Sequence, residues 1–261
     1  ATPARGQAGG RRVNARADAR PTLAVIIPAL NEQETIAGQV AEVLAVASSS
    51  DLPARVARVI VVDNGSDDAT AARAAAAGAT VVSEPRRGYG RACSSGVLAA
   101  GGVDFIVQMD GDRSDRFEEL PLLLAPILAG EADLVIGSRT LGSYEPGSLQ
   151  PQQLFGNWLA SRMLGALYGV HVTDIGPFRV IDRQQLLNLG MREMTYGWSV
   201  EMIARAARHG LRVREVPVTY RQRAGGESKV SGNLRASVRA GVRIIGTILR
   251  CRTDAPVAEP R

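Results

Sequence analysis

Cysteine and histidine are scarce in this chain. Cys93 and Cys251 stand far apart, and with His171 and His209 they are the only residues of those types among 261. That scarcity excludes a disulfide scaffold and a Cys-rich zinc site, and argues against a His-based metal centre or a Ser-His-Asp triad. A reducing cytoplasm is the expected setting. Aromatic residues make up 4% of the chain and no nucleic-acid-binding motif occurs, so no nucleic-acid partner is expected. No uninterrupted apolar run approaches the roughly 18–20 residues that span a bilayer. The Arg11-Arg12 pair is not followed by an apolar stretch, which disfavours a secretory signal.

What is present is a globular composition, 45% hydrophobic and 22% charged, with enough chain for one large α/β domain or two small ones. The net charge of +5 conceals a division. Residues 1–20 carry five arginines against Asp18, and residues 211–252 carry ten basic groups against Glu215 and Glu227. Between them, residues 21–210 hold 15 basic and 21 acidic groups. An acidic body with basic ends suggests a carboxylate-containing site and a cationic surface for an anionic membrane or a phosphorylated substrate. Residues 1–20 and 253–261 read as a disordered basic arm and a disordered tail.

Between the tails, short apolar runs alternate with helical stretches. Strands are expected over 23–28, 56–63, 79–83, 104–109 and 133–136, with helices over 32–47, 69–77, 89–100 and 117–129. Such βαβ units form a mostly parallel, Rossmann-like sheet covered by helices on both faces. In the second half, helices are expected over 154–168 and 199–209, strands over 176–181 and 211–220, and a final helix over 234–250. Leu234, Val238, Val242, Ile245 and Leu249 share one face of that last helix, with Arg235, Arg239, Arg243 and Arg250 on or near the other. The stripe either packs onto the domain or lies in a membrane headgroup region.

Ligands of parallel α/β sheets bind outside the carboxyl ends of the strands. Three of those ends are rich in chemistry. Asp110-Gly111-Asp112 places carboxylates at i and i+2 in a strand-end turn, where both can face one hard cation such as Mg2+ or Mn2+. Asp63 ends the second strand, able to accept from a nucleobase or ribose, while Asp67 or Asp68 caps the next helix. At the first strand end, Pro28 to Glu32, Glu32 and backbone atoms of Pro28 and Ala29 are candidates to hold a nucleoside. Arg86-Arg87-Gly88-Tyr89-Gly90-Arg91 is a possible phosphate loop, with glycines for close backbone approach and arginines such as Arg91 for phosphate. It lacks the Lys-Ser/Thr ending of a P-loop, and no G-x-G-x-x-G follows the first strand.

Taken in order, residues 26–32 (IIPALNE), 61–70 (VVDNGSDDAT), 87–92 (RGYGRA) and 109–112 (MDGD) resemble family 2 glycosyltransferases of the GT-A fold. Residues 136–139 (IGSR), 176–179 (GPFR), 197–202 (GWSVEM) and 215–218 (EVPV) extend the match. The segment from Arg223 to Lys229 is similar to the R-x-x-G-x-S-K run of dolichol-phosphate mannosyltransferase and polyprenyl-phosphate glucosyltransferase relatives. The resemblance covers roughly residues 22–250. It implies nucleotide-sugar contacts from Pro28, Ala29, Glu32, Asp63, Arg91, Asp110 and Gly111, and metal binding by Asp110 and Asp112. It implies acceptor-phosphate contacts from Arg139, Arg179, Arg223, Ser228 and Lys229. Asp112, Arg139, Glu201, Arg223 and Lys229 would form the catalytic set. Relatives often carry Asp-Ala-Asp-Leu-Gln; here Arg113 and Ser114 follow Asp112, so water or Asp115 would complete the metal shell.

The expected activity is inverting, metal-dependent transfer of a hexose from a UDP- or GDP-sugar to a polyprenyl phosphate. The enzyme would sit peripherally at the inner face of the cytoplasmic membrane. Transfer to a saccharide or small-molecule hydroxyl, or nucleotide-sugar binding without turnover, are the alternatives.

Overall fold

A computed structural model describes residues 20–226 and 234–253. The basic arm and the tail expected at the two ends lie outside these residues apart from Arg20 and Thr253. Among the described residues there are seven strands: β1 (Thr22–Ala29), β2 (Arg55–Asp63), β3 (Thr80–Ser83), β4 (Phe105–Gln108), β5 (Leu134–Tyr144), β6 (Arg179–Asp182) and β7 (Val213–Tyr220). The helices are α1 (Ile36–Ala47), α2 (Thr70–Ala76), α3 (Tyr89–Ala99), α4 (Leu120–Leu128), α5 (Pro151–Tyr168), α6 (Arg183–Asn188), α7 (Trp198–Arg208) and α8 (Leu234–Thr253). One sheet runs β3-β2-β1-β4-β6-β5-β7, and only β6 is antiparallel to its neighbours. The apolar runs of β1, β2 and β4 are buried because helices cover both faces of the sheet, dividing the core into two layers.

The strand order positions the site. From β1 the chain winds outward to β2 and β3, then returns to place β4 on the other side of β1. The crevice between the carboxyl ends of β1 and β4 is therefore the topological switch point, where open α/β sheets bind ligands. Glu32 follows β1 there, and Asp110 and Asp112 follow β4.

Two elements differ from expectation. Strand β5 runs on to Tyr144, crossing the backbone of β7 so closely that a Cβ on Gly142 would lie 2.1 Å from the Val218 carbonyl oxygen. Helix α6 is short and polar, with only Leu186 buried, and carries no helical stripe to read.

Candidate active site

The β4 end gathers three acidic side chains. Asp112 and Asp115 are buried, and Asp110 is half-buried beside them. Arg113, between Asp112 and Ser114, has φ of 65°, a left-handed conformation rare for a bulky residue. That turn sends its guanidinium back to Glu42 on α1 and lets the Ser114 N–H donate to Asp112 Oδ1 at 3.0 Å. Asp115 Oδ2 accepts from the Asp110 N–H at 3.2 Å, and the Tyr89 hydroxyl donates to Asp110 Oδ1 at 3.3 Å. Burial, then repulsion from Asp112, lifts the Asp110 carboxyl to about 7. Burial and repulsion from Asp110 and Asp112 hold Asp115 well above the carboxylate range.

The β1 end is shaped by a second left-handed residue, Asn31, with φ of 52°. Its N–H donates to Ser66 Oγ and its Oδ1 accepts from the Asp67 N–H, each at 2.9 Å, pinning the β1 and β2 ends together. Glu32 is thereby turned inward to meet Arg223, whose Nη2 lies 2.6 and 2.7 Å from the two carboxylate oxygens. Arg223 Nη1 is also 3.5 Å from Asp112 Oδ2. Asp63 pairs with Ala29 in the sheet and accepts from the Ser66 N–H, while the Ala29 carbonyl accepts from Asn64. Arg139, on β5, closes the far wall. It is held by Asp174 through Nε and Nη2, both at 2.7 Å, and its guanidinium lies 4.9 Å from the Tyr220 ring centre. Its Nη1 has no partner among the described residues. The structure thus brings Glu32, Asp110, Gly111, Asp112, Arg139 and Arg223 around one crevice, with Pro28, Ala29 and Asp63 on the adjoining strand ends.

Other expected site residues lie elsewhere. Glu201 is fully buried in α7, accepting from the Arg192 and Glu193 N–H groups and pairing with Arg205 at 2.9 Å. It braces a loop and is not presented to the crevice. Arg179 is 1% exposed, and its five donors are taken up by the carbonyls of Ile175, Gly176, Pro177 and Ser199 and by Met202 Sδ, so no N–H remains for an acceptor phosphate. The Gly88–Arg91 turn is not an open phosphate loop. Its Gly90 and Arg91 N–H groups donate to the carbonyls of Thr195 and Met194, and a Cβ on Gly90 would sit 2.3 Å from the Glu193 carbonyl oxygen. The glycines admit a neighbouring protein backbone. No ion pair of Arg91 occurs among the described residues, and Ser228 and Lys229 lie outside them.

Residue-by-residue reading missed Tyr89, Asn64, Asp174 and Tyr220. Asn64 clamps the arginine loop through the Glu84 and Arg86 carbonyls and the Gly88 N–H. Asp174 precedes no helix that it could cap, the one signal that it had another partner.

The sequence profile of glycosyl transferase family 2 matches residues 24–190. The chain belongs to that family. It is 40% identical to an uncharacterized glycosyltransferase of Mycobacterium tuberculosis over 216 residues, 82% of this chain and 92% of the relative. It is 31% identical to a polyprenol monophosphomannose synthase of Mycolicibacterium smegmatis over 245 residues, 85% of this chain and 87% of the relative. Among solved structures, glucosyl-3-phosphoglycerate synthase of Mycobacterium tuberculosis, with Mn2+, UDP and glucosyl-3-phosphoglycerate, matches with a TM-score of 0.71. Identity there is 27%, covering 91% of this chain and 82% of that one. This family 2 glycosyltransferase therefore has the GT-A fold, with the expected mostly parallel sheet.

Proposed function

We propose that this glycosyltransferase moves a hexose, with inversion, from a nucleoside-diphosphate sugar to a polyprenyl phosphate at a membrane surface. One structural observation carries the acceptor assignment. Helix α8 docks through Ala240, Thr247, Ile248 and Cys251, leaving Val238, Val242 and Leu249 58%, 67% and 50% exposed. These three members of the apolar stripe are thus turned away from the domain, with Arg239 and Arg252 exposed beside them and Ile245 half-buried. An apolar stripe flanked by arginines suits anionic headgroups, which would place the crevice near a lipid phosphate. Phe155 and Trp158 on α5 are also exposed. Among the described residues no helix is long and apolar enough to cross a membrane.

The carboxylates fit a divalent cation. Burial gathers Asp110, Asp112 and Asp115 against their mutual repulsion, and Arg139 and Arg223 offset only part of it. Among the described residues no three such side chains converge as a complete metal cage, so diphosphate oxygens and water would supply the remaining ligands, as Mg2+ sites commonly require. A cation held by Asp110 and Asp112 would neutralise charge on the departing diphosphate. The protein's own share is placement. Ser114 fixes the Asp112 rotamer, and Arg223 bridges the β1 and β4 ends. Arg139 Nη1, without a partner among the described residues, would meet an anionic acceptor oxygen, which attacks the anomeric carbon as the bond to the diphosphate breaks. Such an acceptor is already deprotonated, so alignment and charge screening replace a general base. Product chemistry tests the assignment: a glycosyl phosphate lipid is cleaved by mild acid, whereas a product stable to mild acid would mean a hydroxyl acceptor.

A further inference from the structure

Glu193 lies in the loop between α6 and α7, and its side chain is fully buried. Five groups satisfy it. Thr195 donates through its N–H at 3.0 Å and through its hydroxyl. From α8, Arg243 Nε, Thr247 Oγ1 and Arg250 Nη2 donate at 3.0, 3.2 and 2.9 Å. Those three residues, at i, i+4 and i+7, share one helix face, so the whole length of α8 that they span hangs on one carboxylate. Hydrogen bonds from Thr195, Arg250 and Arg243 overcome the effect of burial and hold the Glu193 carboxyl at about 2. The contact is tight: a Cβ on Gly197 would lie 2.4 Å from Thr247 Oγ1 and 2.8 Å from Glu193 Cγ.

The loop has a second side. The carbonyls of Met194 and Thr195 receive the first N–H groups of α3, so the loop sets where that helix begins. Tyr89 stands in this first turn, with its hydroxyl on Asp110 Oδ1. Trp198 follows the loop, and its indole N–H donates to Gln108 Oε1 on β4 at 3.2 Å. Both sides of the β4 end are therefore held by residues whose backbone is placed by the Glu193 loop. We propose that Glu193 is a positioning residue through which α8 sets the geometry of the Asp110–Asp112 site. Contact made on the outer face of α8 is thereby coupled to donor binding. This rests on the reading of Asp110 and Asp112 as the donor-diphosphate site.

A double-mutant cycle on the full chain tests it, with Mn2+–UDP and Mn2+–GDP titrated calorimetrically. Arg243→Gln with Arg250→Gln removes both cations while leaving an amide at each position that can still donate to Glu193, and thermal melting of the same samples checks that the variant stays folded at the titration temperature. This pair is expected to weaken nucleotide binding by at least about threefold, and the Lys pair to restore most of it. Tyr89→Phe is expected to weaken binding similarly, and the combined variant to lose no more than the larger single loss. Unchanged affinity in the α8 variant, or losses that multiply independently, would overturn the coupling while leaving the donor site intact. Failure of wild type to bind either nucleotide would overturn the donor-site reading and the proposal together.

Discussion

Replacing Val238 and Val242 together by Ser tests whether the outer face of α8 meets lipid. Complete burial of a valine side chain is worth about 2 kcal/mol. With 58% and 67% of these residues still exposed in the folded protein, about 2.5 kcal/mol of that transfer remains available to a bilayer. The double variant should therefore bind vesicles of phosphatidylglycerol and phosphatidylcholine about 50- to 100-fold more weakly. Because both side chains are exposed, folding stability should change by less than about 0.5 kcal/mol. Vesicle sedimentation at several protein concentrations, alongside thermal melting of the same samples, measures both quantities. Unchanged vesicle binding would refute the lipid contact. A melting temperature lowered by several degrees would instead show that the stripe is packed against protein.

Gly90→Ala should lower the melting temperature by about 5 °C, because its Cβ would meet the Glu193 and Met194 backbone at 2.3 to 2.9 Å. Gly156→Ala on α5, with no atom within 4 Å of the added carbon, should be neutral or stabilising in the same assay. Asp110, raised to about 7, gains its charge progressively across that pH, so Mn2+ affinity measured by titration should climb between pH 6 and 8 with proton release on binding. An affinity flat across that range would contradict a raised Asp110 carboxyl at the cation site. Glu193 is depressed from 4.5 to about 2, so its contribution to stability is present above pH 4.5 and lost as pH falls toward 2. Glu193→Gln should accordingly flatten the acid limb of a stability–pH curve, and an unaltered limb would refute this.

The sheet and the carboxylates at the β4 end were legible because both follow from local pattern. Apolar runs alternating with helices specify βαβ units, and polar clusters at the ends of β1, β2 and β4 fall where such sheets bind ligands. Helix α8 shows the limit. Its Val238 stripe and its Ala240–Ile244–Ile248 stripe are both helical repeats, and periodicity does not say which packs inward; Arg243 and Arg250 reaching Glu193 decides it. Arg179 and Glu201 misled for the same reason. Charge in a motif suggests a ligand, but Arg179 is spent on the carbonyls of its own loop and of Ser199, and Glu201 on two loop N–H groups and on Arg205 one helical turn away. The Gly88 and Gly90 positions were correctly seen as sites of close approach. What approaches is a loop a hundred residues further along the chain, which no local spacing reveals.

Turnover of nucleotide sugar by wild type and by Asp112→Ala is the most direct test of the proposed chemistry. With polyprenyl phosphate and Mn2+ or Mg2+, wild type should release nucleoside diphosphate from a UDP- or GDP-hexose. A chelator should abolish this, and Asp112→Ala should slow it by about a hundredfold or more while the protein stays folded. Release in the presence of chelator, or an Asp112→Ala rate within a few-fold of wild type, would contradict the claim that the β4 carboxylates grip the donor's diphosphate through a cation.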